Sequence, residues 1–300
     1  MNDLTVPPPP VPAGPMPFTK LLDEAMRLVR RHFRAMFPPV AIPLALLATV
    51  TGVLQALLMQ SMTGGEAGTP PQPAFSCGTG FVALLQGILV GIAFVVLQKA
   101  AVDATAGRPI DLKESWRFAV QPVVLGTLFL QGLAIAGSAL ACFFPVFYVA
   151  PLLSLVVPIM AEEKVFGGKA LSRSSELTRY NPRNRFLETP LVKALVLMIV
   201  TAVISYVVAI VVVLPFQIPM FIDIFRKAAS GEEPAIGKWL WFQIPSQILQ
   251  MLATVAVYTY SSFGYALLFF DARNRKEGSD LAAEINTVFG PGTPAGEPTP

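Results

Sequence analysis

Apolar residues fall into six runs along this chain, at about 37–62, 79–101, 122–144, 145–161, 191–216 and 240–270, with short polar segments between them. A helix needs about 20 mostly apolar residues to cross roughly 30 Å of hydrocarbon. Runs 1, 2, 3, 5 and 6 meet that length. Run 4 is shorter, about 17 residues, and holds Pro145, Pro151 and Pro158. It reads either as a span or as the second arm of a re-entrant hairpin with run 3. The pattern predicts an all-α polytopic membrane protein with six transmembrane helices over residues 37–287.

The flanks add smaller elements. Over 18–36, Phe18, Leu22, Ala25, Val29, Phe33 and Met36 recur at helical spacing, while Lys20, Arg27, Arg30, Arg31 and Arg34 take the other side. That is the signature of an amphipathic helix lying in the membrane interface. Thr19 is its expected N-cap, with Asp23 and Glu24 in the first turn, and His32 is a residue at headgroup level. Residues 107–119 suggest a second interfacial piece, with Asp111 as cap and Glu114 three residues later as in a capping box. A third short surface helix is expected within 217–238. Residues 1–17, with seven prolines, and 288–300 read as disordered tails.

Inside the spans, Gly87 and Gly91 form a GxxxG that permits close helix approach, and Gly132, Ala136, Gly137 and Ala141 repeat the device more loosely. The last span is more distinctive. Gln243, Gln247, Gln250, Thr254, Tyr258, Ser261 and Tyr265 follow at steps of 4, 3, 4, 4, 3 and 4, which aligns seven hydrogen-bonding side chains on one helix face. Lipid cannot satisfy them, so the stripe faces protein or a wet cavity. Interhelical hydrogen bonding, worth about 0.6 kcal/mol per pair, and the lining of a polar pathway are the two readings.

Charge orients the zigzag. Residues 18–36, 99–117, 164–193 and 273–276 hold 19 of the 22 lysines and arginines, leaving Arg226, Lys227 and Lys238 for the opposite side. By the positive-inside rule both termini are cytoplasmic. With mean hydropathy +0.60 and only 14% charged residues, the net charge of +3 points to anionic lipid headgroups rather than nucleic acid. The N-terminal segment has no basic stretch followed by an apolar core, so the first true span is the expected insertion signal. Cys77 and Cys142 fall near the outer ends of spans 2 and 3, as two buried thiols or as a disulfide. One histidine and no Cys-x-x-Cys leave no metal ligand set, and no cofactor is expected.

The charges nearest the hydrocarbon are Lys99, Asp103, Glu162, Glu163, Lys193 and Asp271, all at span ends. Nothing ionisable sits mid-span, which argues against ion-coupled pumping. Two segments concentrate acids with bases. The first runs from Pro158 through Glu162, Glu163, Gly167 and Gly168 into a short helix at 169–179. There Arg173–Glu176 and Glu176–Arg179 are i,i+3 pairs, and the segment reads first as a surface elbow that re-enters the membrane at Thr189-Pro190, and second as a phosphate-headgroup site on Ser172, Ser174, Ser175, Arg173 and Arg179. The second is Phe269–Leu281, with Asp271, Arg273, Arg275 and Glu277. Asp271 with Arg173, or Glu163 with Arg273, are the expected cross-pairs.

Pro158-x-x-x-Glu162-Glu163 followed by Ala170-Leu171-Ser172-Arg173-Ser174, together with FFDARNRKEGSDL at 269–281, resembles the membrane domain of the glycerophosphoryl diester phosphodiesterase type, over about residues 18–287. The chain departs from that pattern at Tyr180-Asn181-Pro182 and at Ser279. The resemblance implies a bacterial inner-membrane domain without the catalytic barrel, so no catalytic residue carries over. Three functions stand. The first is a non-catalytic scaffold or accessory in lipid and envelope processes, with membrane lipids and a membrane or cytoplasmic protein as partners. The second is a carrier of a lipid or amphipathic molecule along the stripe. The third is a membrane-embedded enzyme built on Glu162, Glu163, Arg173 and Asp271.

Overall fold

The computed structural model describes residues 16–63, 73–141, 143–179, 188–230 and 236–289. Within them the chain forms nine helices and no strand: α1 (Phe18–Thr63), α2 (Pro73–Thr105), α3 (Leu112–Ala119), α4 (Pro122–Ala141), α5 (Phe143–Leu152), α6 (Val156–Glu162), α7 (Gly168–Thr178), α8 (Pro190–Ser230) and α9 (Ile236–Phe289). Six stretches are long and apolar enough to cross a membrane: Phe18–Leu57, Gly80–Thr105, Pro122–Leu140, Phe144–Glu162, Pro190–Lys227 and Ile244–Gly278. They match the six apolar runs. The protein is therefore all-helical and multi-pass.

α9 is the axis of the bundle, packed on α1, α2 and α8. Every residue from Ser261 to Phe269 on it is buried. Met36, Val40 and Leu44 of α1, Val96, Leu97 and Ala100 of α2, and Ile159 and Met160 of α6 belong to the same core. α8 lies outermost and shows a broad apolar face, with Tyr206 68% and Phe225 72% exposed. Such a face is stable against lipid tails, whereas unpaired backbone is not.

The amphipathic stretch and the first span are one helix. α1 starts at Phe18, where the Pro17 carbonyl accepts the Leu21 amide at 3.1 Å, so the helix begins ahead of Thr19. It continues through Pro38, Pro39 and Pro43 without a break. Leu21, Ala25, Leu28, Met36, Val40, Leu44 and Ala48 form one buried stripe across the supposed boundary. Packing of that stripe favours continuity. Pro38 and Pro39 deprive the Arg34 and Ala35 carbonyls of their helical donors, but these residues are exposed, so solvent can serve the carbonyls. The surface helix expected within 217–238 is likewise the end of α8, which runs on past Pro215 and Pro219 to Ser230.

The fourth span is broken. α5 ends at Leu152, residues 153–155 turn, and α6 resumes at Val156. Pro151 and Pro158 flank the turn and lack amide donors. The turn also displaces a donor, since the Val156 amide bonds the Leu153 carbonyl at 3.3 Å and leaves that of Leu152 to side chains. Ser174 Oγ and Thr178 Oγ1 of α7 donate to the Leu152 carbonyl at 2.6 and 3.2 Å. Gln131 Nε2 of α4 donates to the Leu153 carbonyl at 2.9 Å. Each such bond is worth about 1 kcal/mol net, and leaving a buried carbonyl bare costs more.

The glycines pack differently from the sequence expectation. A Cβ on Gly87, Gly91, Gly132 or Gly137 would meet nothing within 4 Å, so these small residues mediate no close approach among the described residues. Close approach occurs instead at Gly52, where a Cβ would lie 2.8 Å from Gln247 Oε1, and at Gly264, 2.9 Å from Leu197.

Candidate functional site

Three of the four polar segments that sequence charge assigns to one side meet at one end of the bundle through salt bridges, and the start of α1 joins them through the Met16 backbone. α2 ends in Lys99 and Asp103, one helical turn apart and paired. Arg108 then reaches Asp103 at 2.9 Å and Glu162 of α6 at 2.5 Å. Glu114 of α3 sits 3.8 Å from Lys99, while Asp111 caps α3 by accepting the Lys113 and Glu114 amides at 2.9 and 3.2 Å. Hydrogen bonding to Glu162 raises the Arg108 pKa, more than burial lowers it.

A second group is centred on Arg173 of α7. Gly167, at φ 66°, supplies the left-handed turn that starts this helix, a conformation other residues adopt only with strain. Arg173 then bonds Glu163 with two nitrogens (3.2 and 3.4 Å), Glu277 of α9 at 2.9 Å and Glu176 at 3.5 Å. Arg273 closes on Glu277 at 2.8 Å, and Lys276 pairs with Glu176. Burial alone would lower the Arg173 pKa; the Glu163 hydrogen bond and the charges of Glu163 and Glu176 leave it raised. The hydrogen bond from Lys276 holds the Glu176 carboxyl below its usual range.

The third group is buried. Lys193 of α8 and Asp271 of α9 pair at 2.7 Å with side chains 1% and 0% exposed. Asp271 also accepts the Met16 amide at 2.9 Å and Arg275 Nε at 3.1 Å. Lys193 Nζ and Arg275 Nη2 donate to the Met16 carbonyl at 2.6 and 3.2 Å. Both backbone groups of Met16 are thus held by the heads of two other helices.

The proposed residues are therefore brought together, with different partners from those expected. Asp271 pairs with Lys193 and Arg275, not Arg173; Glu163 pairs with Arg173, not Arg273. The reason is helical phase: Asp271 and Arg275, one turn apart, face α8 and the start of α1, while Arg273 and Glu277 face α7. Arg179 stands exposed at the end of α7. The serines do not gather as an anion cradle, because Ser174 is buried on the Leu152 carbonyl and Ser175 Oγ bonds the Ser172 carbonyl at 2.8 Å. Lys276, Arg108, the Met16 backbone and Glu188, which lies 3.9 Å from Arg275, are participants that sequence reasoning missed. Among the described residues no group of three or more His, Cys, Asp or Glu is placed to hold a metal. His32 is half-buried against Phe263, with ring centroids 6.1 Å apart.

The stripe on α9 is divided among its neighbours. Gln247 Nε2 donates to Gln55 Oε1 of α1 at 2.8 Å. Thr254 and Ser261 turn back to the Gln250 and Tyr258 carbonyls of their own helix. Tyr258 packs on Phe94 of α2, 4.9 Å between centroids. Tyr265 alone opens into a large cavity, which Gln247, Gln250 and Tyr258 do not line. The side chains of Gln243 and Cys77, with all of Cys142, lie outside the described residues, as do most of the two terminal tails.

Comparison with family models, with curated proteins and with solved structures returns no match.

Proposed function

We propose that this protein is a non-catalytic membrane module that binds anionic lipid headgroups at its charged end and serves lipid or envelope processes as a scaffold or accessory. One observation carries the reading: the acids and bases available for chemistry are spent on one another. Glu162, Glu163, Asp271 and Glu277 all sit in ion pairs that join separate segments of the chain. Around them Lys20, Arg30, Arg34, Lys113, Arg117, Lys169 and Arg179 remain exposed. A network that neutralises itself closes the bundle, and the basic rim left over suits phosphate headgroups, at about 1 kcal/mol per basic residue. The resemblance to the phosphodiesterase-associated membrane domain accords with this reading, since both of its segments feed the same network. The orientation follows as a proposal too, with the charged end in the cytoplasm of a bacterial inner membrane.

The test is the lipid that stays with the protein through purification in mild detergent. Mass spectrometry should find anionic phospholipid enriched over its membrane share. A variant with Lys20, Arg30, Arg34, Lys169 and Arg179 changed to Gln should lose several-fold of that enrichment at unchanged thermal stability. Equal enrichment in the variant would overturn the headgroup assignment, and turnover of phospholipid or of a phosphodiester by the purified protein would overturn the non-catalytic one.

A further inference from the structure

The break in the fourth span opens a cavity of about 590 Å³ between α2, α4, the α5–α6 turn and α9. That volume is typical of small-molecule sites, and well above the voids that close-packed interiors tolerate. The break is actively maintained: Ser174, Thr178 and Gln131 hold the Leu152 and Leu153 carbonyls that a continuous helix would have used. Ala150, Ser154 and Val157, on either side of the turn, line the cavity. At membrane depth, non-helical backbone survives only inside protein or at a cavity wall.

Most of the wall is apolar, including Ile92, Val95, Leu125 and Leu128. Two polar side chains on it are unserved. Tyr265 is 8% exposed and lines the cavity, with no hydrogen-bond partner for its hydroxyl among the described residues. Gln98 is 2% exposed on the same wall, and its Oε1 has no partner. Gln131 Nε2 and the Ser154 hydroxyl hydrogen are already committed to the Leu153 and Pro151 carbonyls. None of the lining residues is ionisable as a carboxylate or ammonium. On the membrane side Ile88 and Phe129 of the rim are 51% and 69% exposed, so the mouth faces lipid. Along α2 the wall runs from Ile88 to Gln98, about 15 Å at 1.5 Å per residue.

From these features we infer that the cavity is a binding site for a neutral lipid alcohol, a hydroxyl group on a long apolar chain. The chain lies along α2 and enters from the bilayer. The hydroxyl, at once donor and acceptor, meets the Tyr265 hydroxyl and the Gln98 amide. A charged head is disfavoured because nothing on the wall would neutralise it. The site is separate from the basic rim, so it stands or falls independently of headgroup binding.

Full-length protein in detergent would be titrated with dioleoylglycerol, with farnesol and with dioleoylphosphatidylcholine, and adducts counted by native mass spectrometry. A one-to-one adduct with either alcohol, at least tenfold tighter than with the phosphatidylcholine, is the expected result. Which alcohol binds distinguishes an acylglycerol from an isoprenoid. Tyr265→Phe, which removes only the hydroxyl, should weaken binding about 3–10-fold. Gly91→Phe should abolish it by filling the cavity, since a side chain there starts from open space. No adduct, equal retention of all three lipids, or full affinity in Tyr265→Phe would overturn the assignment. The Tyr265→Phe variant keeps the test decisive even if Gly91→Phe fails to fold.

Discussion

Removing the charge of Asp271 is the sharpest test of how the bundle is closed. In Asp271→Asn the side chain keeps its shape, but the Lys193 ammonium loses its counter-charge at a position 1% exposed. The Met16 carbonyl, at 2.6 Å, and the new amide oxygen can still accept from it, but neither carries a charge. Arg275 loses the partner it holds at 3.1 Å. Breaking a buried pair by deleting one member costs about 3–5 kcal/mol, because the remaining charge stays desolvated. Against a total stability on the order of 5–15 kcal/mol, that is a large fraction. Lys193→Met/Asp271→Leu removes both buried charges and leaves the Met16 amide without an acceptor, a loss of about 1–3 kcal/mol, while Arg275 keeps the Met16 carbonyl and Glu188. The double variant should therefore be more stable than Asp271→Asn, while Lys193→Met, in which Asp271 keeps Arg275 and the Met16 amide, should lose less than Asp271→Asn. Reversible unfolding in dodecylmaltoside micelles with increasing SDS, followed by tryptophan fluorescence, measures all four proteins. A single variant within about 0.5 kcal/mol of wild type would refute the reasoning. So would a double variant whose loss equals the sum of the two singles.

Two further outcomes follow from packing and from titration. Gly264→Ala sets a methyl 2.9 Å from Leu197 and should destabilise by about 1–3 kcal/mol; Gly87→Ala meets nothing within 4 Å and should stabilise α2 by about 0.5–1 kcal/mol through reduced chain entropy, so thermal midpoints in the reverse order would contradict the packing. Glu176 has its pKa lowered from 4.5 in the folded protein, first by the Lys276 hydrogen bond. Its contribution is therefore complete above that value and is lost as pH falls through the lower folded one. Between about pH 6 and about pH 3 wild type should lose more thermal stability than Lys276→Met, by a small margin because Glu176 is half exposed; equal losses would remove the link between α7 and α9.

The spans were legible because hydrocarbon imposes a length and a composition that local sequence must obey. The charged end was legible in membership: Glu162, Glu163, Arg173, Asp271, Arg273, Arg275 and Glu277 do converge. Their pairing was not, since a phase difference of two residues on α9 decides whether a side chain meets α7 or α8. The opposite charges of Lys193 and Asp271, each at the edge of an apolar run on the same side, were the available hint of a buried pair. The continuity of α1 was hidden by Pro38 and Pro39, whose local cost is outweighed by a buried stripe that packing on α9 and α2 defines. Glycine spacing misled for a related reason. Gly87 and Gly91 have the motif, but contact requires a neighbour, and the neighbours came to Gly52 and Gly264. The stripe on α9 was a true helical face, yet α1 and α2 divide it, and its last member alone reaches the cavity.

The grip on Met16 also orders events in time. Lys193 precedes Asp271 by 78 residues, and Met16 precedes it by 255. At a synthesis rate of roughly 5–20 residues per second, the Lys193 ammonium waits about 4–16 s at the head of α8 before its carboxylate is made. During that interval Lys193 can already meet the Met16 carbonyl, but the Met16 amide has no carboxylate to accept it. A nascent chain stopped ahead of Asp271 therefore carries a lone cation against the bilayer edge. The full clamp on Met16, amide and carbonyl together, can therefore form only once the last helix has been made.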